Sequence, residues 1–346
     1  MRHAIALLAS TLICLPALAV DAPASITNAR IEVRSGLAPL AALDDVKRQK
    51  TAAWVGWSVP ALPEAGDVCC FTKNFKHRGC SLAERDNSWG TSDAFEPSGA
   101  TGLYVLVEVK DGQASRLRLV SSSCPVDGGD RRLLWLGPVD AGDSLAALGR
   151  LLETDGKGDD VEEPALAAIA YHADARADAL LEKRALDRSR SADSRKQAIF
   201  WAGHARGESG YRLVERVLNS DPSGDIREHA VFALTQSSVP GAADRIKRVA
   251  VEDRDHDVRA QALFWLAQTK AAGAGEWITG RLDAETDDHV REQAVFALSQ
   301  LEDGTDWLLK VLRSKRDPQT TRRALFWLGQ SDDPRALEEL EKILIK

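Results

Sequence analysis

The stretch Val258-Arg259-Ala260-Gln261-Ala262-Leu263-Phe264-Trp265-Leu266-Ala267-Gln268 recurs along this chain. Upstream stands Ile226-Arg227-Glu228-His229-Ala230-Val231-Phe232-Ala233-Leu234-Thr235-Gln236. Downstream stands Val290-Arg291-Glu292-Gln293-Ala294-Val295-Phe296-Ala297-Leu298-Ser299-Gln300. Looser copies read Arg195-Lys196-Gln197-Ala198-Ile199-Phe200-Trp201 and Arg323-Ala324-Leu325-Phe326-Trp327-Leu328-Gly329-Gln330. The central alanines Ala198, Ala230, Ala262, Ala294 and Ala324 follow one another at a nearly constant interval. A fixed period of this size marks a repeat array.

A second amphipathic segment lies between copies, at 211–218, 243–249, 277–282, 307–312 and 336–344. Each unit is therefore two short helices, and neither buries its apolar side alone. Stacking neighbouring units buries both, which predicts an α-solenoid over residues 161–346. Ala165 stands about one period before Ala198, in a degenerate first unit.

The run from Asp257-Val258-Arg259 through Ala262 to Leu266 resembles the second helix of HEAT-like repeats, and the short period is similar to the variety grouped with phycobilin lyases. The resemblance covers just over half the chain. It implies that the Val-Arg helix lines a concave face and that Asp and Arg form a ladder of salt bridges. The matching residues are Asp193 and Arg195, Asp225 and Arg227, and Asp257 and Arg259. Asp288-His289 precedes Arg291 out of register, and Thr321 takes the last Arg position, so the ladder is expected to weaken there. The family implies scaffolding and peptide binding in general, and in some members lyase activity. A fold does not fix a function.

The N-terminal half reads differently. Met1-Arg2-His3 is a short basic start, residues 4–18 are apolar, and Ala17-Leu18-Ala19 places small residues at a cleavage site. Residues 1–19 are expected to be a signal peptide. Pro16 interrupts a run already short of the roughly 20 residues that span a bilayer. Cys14 follows Ile13, where lipid attachment normally needs a small residue. Residues 20–142 are expected to form a β-rich domain, with strands near 28–34, 52–59, 103–110, 114–120 and 131–136, and Asp111-Gly112 turning a hairpin. Residues 143–160 read as a short helix and a polar linker. The expected class is α+β with two domains: a disulfide-stapled β-rich unit, then the helical superhelix.

Cys69, Cys70, Cys80 and Cys124 remain after signal removal, an even number in an exported chain. Two disulfides are expected, with one of the adjacent pair joining Cys80 and the other Cys124. A zinc site on Cys69, Cys70, His77 and Cys80 is the alternative, but its spacing departs from the usual C-x2-4-C.

On a helical wheel Val258, Ala262, Trp265 and Leu266 share the core face, while Gln261, Phe264 and Gln268 share a flank. That flank recurs as Phe200, Phe232, Phe264, Phe296 and Phe326, with Gln236, Gln261, Gln268, Gln293, Gln300 and Gln330. Amides can bond an extended peptide and rings supply apolar area, which makes this ladder the candidate binding surface. The alternative is that Phe packs between repeats and Gln bonds the neighbouring turn. Trp201, Ala233, Trp265, Ala297 and Trp327 alternate large and small, which reads as packing. Asp253-Arg254-Asp255-His256-Asp257 lacks the Gly and Glu of a calcium loop and reads as a helix-capping turn.

No nucleophile elbow, His-Glu-x-x-His or phosphate loop is present, and no cofactor is expected. His172, His204, His229, His256 and His289 fall mostly on repeat helices or turns. The net charge of −7 argues against nucleic acid. The reading is a periplasmic or secreted scaffold whose partner is a protein or peptide, with no membrane segment after signal removal. The rival is an enzyme, either a tetrapyrrole lyase or one with a cleft joining His77, Trp54, Trp57, Glu84 and Asp86.

Overall fold

The computed structural model describes residues 21–71, 78–84, 88–90, 102–154, 159–314 and 316–344. The expected signal segment, His77 and Asp86 lie outside these. In chain order the first half runs β1 (Ile26–Thr27), β2 (Arg30–Val33), α1 (Pro39–Gln49), β3 (Ala53–Pro60), β4 (Cys69–Phe71), β5 (Cys80–Ser81), β6 (Ser88–Gly90), β7 (Gly102–Lys110), β8 (Gln113–Ser121), β9 (Val126–Asp127), β10 (Arg132–Pro138) and α2 (Ala141–Thr154).

The β7–β8 hairpin lies at one edge of the main sheet. Asp111 and Gly112 turn it with φ of 53° and 79°, the left-handed pair that matches strand twist. β3 pairs antiparallel with β7, and β10 runs parallel to both β3 and β2. The order is β2-β10-β3-β7-β8. Alternation along β3 divides the core. Val55, Trp57 and Val59 face one cluster, which also holds residues of α1, α2 and the repeats. Trp54 faces a second cluster with Leu106, Leu133, Trp135 and all four cysteines. Gly56 has no room for a side chain on the second face, where a Cβ would lie 2.7 Å from Leu106. The cysteines there are joined as Cys69–Cys124 and Cys70–Cys80.

Helix α1 falls where the sequence reading placed no element. Its signal was present: Pro39 in the first turn, then Ala42, Leu43 and Val46 buried on one side. With α2 it covers a face of the sheet, so the β-rich unit carries helices of its own.

The second half is a run of helix pairs: α3 (Asp159–Tyr171) with α4 (Arg176–Leu186), α5 (Ala192–Ala205) with α6 (Gly207–Ser220), α7 (Gly224–Thr235) with α8 (Ala242–Glu252), α9 (His256–Gln268) with α10 (Ala274–Ala284), α11 (Asp288–Ser299) with α12 (Gly304–Arg313), and α13 (Pro318–Gly329) with α14 (Pro334–Leu344). Odd-numbered helices approach one another more closely than even-numbered ones do, which places the odd layer on the inside of the curve.

Arginines lock the odd layer, but not with the partners expected. Arg195 pairs with Asp221 and Arg227 with Asp253, the latter at 2.8 and 2.9 Å. Arg259 lies 3.6 Å from Glu285. Each partner stands in the turn that precedes the next repeat, and its own carbonyl accepts from that next repeat's arginine. Arg227 donates to the Asp221 carbonyl, Arg259 to that of Asp253 and Arg291 to that of Glu285. One acidic residue thus ties two arginines. Asp193, Asp225 and Asp257 are exposed instead, because the first turn of a helix points them at solvent. Asp225 takes Lys196, and Asp257 faces His289. The links open toward the far end. Arg227 and Asp253 are 2% and 8% exposed, whereas Arg291 turns to Asp288, which is 62% exposed.

The expected boundary at 143–160 does not separate two cores. One buried cluster runs from α1 through the sheet to α14. Helix α3 packs on β8, and the Leu62 amide donates to the Tyr171 carbonyl at 2.9 Å. Beneath this seam Trp57 Nε1 donates to Ser144 Oγ at 2.7 Å. Ser144 Oγ lies 2.8 Å from His172 Nε2, and His172 Nδ1 lies 2.5 Å from the Ala168 carbonyl. A carbonyl only accepts, so Nδ1 carries the proton and Ser144 donates to Nε2. Burial favours this neutral form over the imidazolium, whose Nε2 would instead donate to Ser144.

Burial holds His172 below the ordinary histidine value, and does the same for His204 and His229. On acidification the unfolded chain takes up protons first. The stability these groups confer is therefore complete above about pH 6.5 and is lost as pH falls toward their folded values. Melting temperature should drop between pH 7 and pH 5, with a shallower drop in His172→Gln; parallel curves would refute this role. Arg227→Ala should cost about 3–5 kcal/mol in urea titration, since it strands buried Asp253, against less than about 1 kcal/mol for Arg291→Ala. By loop entropy, replacing Cys69–Cys124, which spans 55 residues, by serines should cost about 4 kcal/mol, and Cys70–Cys80, spanning 10, about 3 kcal/mol.

Candidate functional site: the aromatic face of the odd helices

Phenylalanine stands at the same place in each odd helix from α5 to α13. Phe200 stacks on Phe232 with centroids 5.7 Å apart, and Phe264 on Phe296 at the same distance. Phe232 then packs on Trp265 at 4.7 Å and Phe296 on Trp327 at 4.8 Å. Within helices, Phe200 touches Trp201, Phe264 touches Trp265 and Phe326 touches Trp327 at 5.0–5.1 Å. Tyr171 opens the series against Trp201 at 5.6 Å. Nine rings thus make one continuous chain across six helices.

The tryptophan–alanine alternation has a physical reason here. Where the next repeat offers Ala233 or Ala297, a phenylalanine stacks on the next phenylalanine. Where it offers Trp265 or Trp327, the ring leans on the indole instead. Both arrangements keep apolar contact at ring separations that aromatic pairs favour. Phe200, Phe232, Phe264 and Phe296 are half-buried and Phe326 is 51% exposed. Packing between repeats and an open edge therefore coexist in the same residues.

The amides are placed differently from the rings. Gln268, Gln300 and Gln330 are exposed at the C-terminal ends of their helices, while Gln236, Gln261 and Gln293 are half-buried. Gln236 donates to Thr235 Oγ1 at 2.9 Å and Gln300 to Ser299 Oγ at 3.1 Å, both sequence neighbours rather than the adjacent repeat. His204, in the glutamine position of α5, stacks on Phe200 at 5.7 Å.

Sequence reasoning passed over several residues of this face. Tyr171 was not joined to the ring series, and its hydroxyl lies 3.2 Å from His204 Nε2. Burial pushes that hydroxyl up to about 12. Among the described residues, Gln197 Oε1 and His229 Nε2 are buried with no hydrogen-bond partner. Glu228 stands four residues before Phe232, hence on the same side of α7. The spacing of Glu228 to Phe232 was its only signal.

The other candidates resolve as structure. Asp255 caps α9 by accepting from the Asp257 amide at 3.1 Å, and Asp253 holds Arg227, so 253–257 is a capping turn. His256 lies 3.5 Å from Asp287 and His289 3.2 Å from Asp257, at the exposed N-terminal edge of the odd helices. Of the expected cleft residues, Trp54 and Trp57 point to opposite faces of the sheet and both are buried, so they do not line one cleft. Glu84 is exposed, with its carbonyl accepting from Arg116. The cysteine sulfurs are committed to disulfides rather than to a metal.

No curated protein matches the chain. Among solved structures, human deoxyhypusine hydroxylase in complex with glycerol is similar at 17% identity, with a TM-score of 0.25, covering 59% of this chain and 78% of that one. A score that low carries no argument. Among the described residues no helix is long and apolar enough to cross a membrane. A family model described as HEAT repeats matches residues 211–299. Those residues lie within α6 to α11, the centre of the ring chain, and it is over this stretch that the helical array matches HEAT repeats.

Proposed function

We propose that this protein is an exported, non-catalytic scaffold that binds a protein or peptide along the aromatic face of its odd helices. The observation that carries the reading is the nine-ring chain, which is continuous across repeats yet keeps an open edge from Phe200 to Phe326. A row of partly exposed rings offers apolar area at low entropic cost, and the exposed amides of Gln268, Gln300 and Gln330 beside it suit an extended backbone. Two buried disulfides support an oxidising compartment, and with the basic, apolar start of the chain they favour the periplasm or the exterior. The acidic balance of the chain favours a partner other than nucleic acid.

Phe264→Leu with Phe296→Leu removes two rings while keeping apolar volume. Screened against an immobilised library of short peptides, the wild-type protein should retain sequences bearing apolar side chains. The double variant should melt within a few degrees of wild type and bind those peptides at least about tenfold more weakly. Unchanged binding by the folded variant, or no peptide retained by wild type, would refute the proposal.

A further inference from the structure

We propose that the aromatic face selects a basic segment: Glu228 and Asp257 receive Lys or Arg side chains of the partner while Phe232, Phe264 and Trp265 receive its apolar ones. This rests on the peptide-binding reading above. It adds the chemistry of the partner.

Arg195, Arg227 and Arg259 reach into the turns between repeats and neutralise carboxylates there, so they leave the face itself uncompensated. On the face, Asp225 holds Lys196 at 2.5 Å, Asp288 holds Arg291 and Glu292 holds Arg323. Among the described residues, Asp257 has the imidazoles of His256 and His289 beside it and no Lys or Arg within ion-pair distance. Glu228, among the same residues, has no cationic partner at that distance. Burial raises the Glu228 carboxyl above the usual range, and Asp257, Asp225 and Asp255 raise it further, with Lys196 pulling the other way. An arriving cation relieves that crowding.

These carboxylates sit where a bound segment would reach them. Glu228 is one helical turn from Phe232, and Asp257 two turns from Phe264 on the same side of α9. Acidic groups therefore run along one edge of the ring chain and amides along the other. A cation held beside Phe232 or Trp265 also gains from the ring faces. Helices pack about 8–10 Å apart and an extended chain advances about 3.3 Å per residue, so one repeat spans about three residues of the partner. The segment that fits has a basic residue about every third position, with aromatic or aliphatic residues between.

Fluorescence anisotropy with the full-length protein tests this using labelled peptides of four Lys-Ser-Phe units, four Gln-Ser-Phe units and four Glu-Ser-Phe units. In about 50 mM salt the lysine peptide should bind at least about tenfold tighter than the glutamate peptide, and the preference should shrink at high salt. Glu228→Gln with Asp257→Asn should lower affinity for the lysine peptide about tenfold, to the level of the glutamine peptide. Glu338→Gln with Glu341→Gln, on exposed α14, should leave it unchanged. If that remote pair weakens binding equally, bulk charge is responsible and the assignment is overturned. Equal affinity for lysine and glutamate peptides, still lost in Phe264→Leu with Phe296→Leu, overturns the basic preference but leaves the peptide-binding reading standing. Failure of all three peptides to bind overturns both.

Discussion

Asp221 and Asp253 each face two ways, and the array depends on it. The carboxylate of each answers an arginine from the repeat behind, while its carbonyl accepts from the arginine of the repeat ahead. A lone buried guanidinium would be costly, but one whose donors are engaged becomes a connector that fixes the offset between neighbouring helices. Because the link recurs with the repeat, the offset recurs as well. At Glu285 the carboxylate stands back, and Arg291 turns to its own helix. The repeats farthest from the sheet lose this connector and use other pairs across repeats, Arg316 with Asp283 and Arg335 with Asp306, whose carboxylates are exposed.

The fixed offset brings the phenylalanines into register. Ring stacking across repeats at 5.7 Å and 4.7–4.8 Å needs helices held at a constant separation and rotation. The connectors lie at the N-terminal ends of the odd helices and the rings at their middles. Positive charge is consumed at the first and apolar edge is exposed at the second. Carboxylates such as Glu228 and Asp257 stand beside the connectors, on the N-terminal side of the rings. A face with apolar rings, spare carboxylates and few spare cations discriminates among partners by charge as well as by shape.

The other end of the array is anchored differently. The main sheet has two buried faces because helices cover one and the disulfide-bonded loops cover the other. Its helical cover continues into the repeats through α3. The Trp57–Ser144–His172 chain sits at that seam, and the burial that keeps its imidazole neutral makes the seam sensitive to acid. A solenoid whose first unit rests on a sheet needs no separate polar cap at that end.

Local signals decided much of this protein in advance. The period of the central alanines specified helix pairs and their stacking, and the Asp-Gly pair specified the hairpin, since both are set by residues near in sequence. The spacing of the four cysteines left two pairings open across the neighbours Cys69 and Cys70, and only the approach of β4 to the chain around Cys124 chose between them. Helix α1 carried an amphipathic pattern too short to stand out against strands on either side. The arginine partners could not be read from the Asp-Val-Arg motif. The aspartate nearer in sequence points to solvent, while the one that answers the arginine is carried back to it by a whole helix pair. The phenylalanine positions were legible, but their contacts were not: whether a ring meets another ring or an indole depends on the residue next to it in the following repeat. Sequence determined the units and their order, through periodicity and turn chemistry. Tertiary structure decided which charges cancel and which edges stay open, because both depend on groups that folding alone brings within a few ångströms.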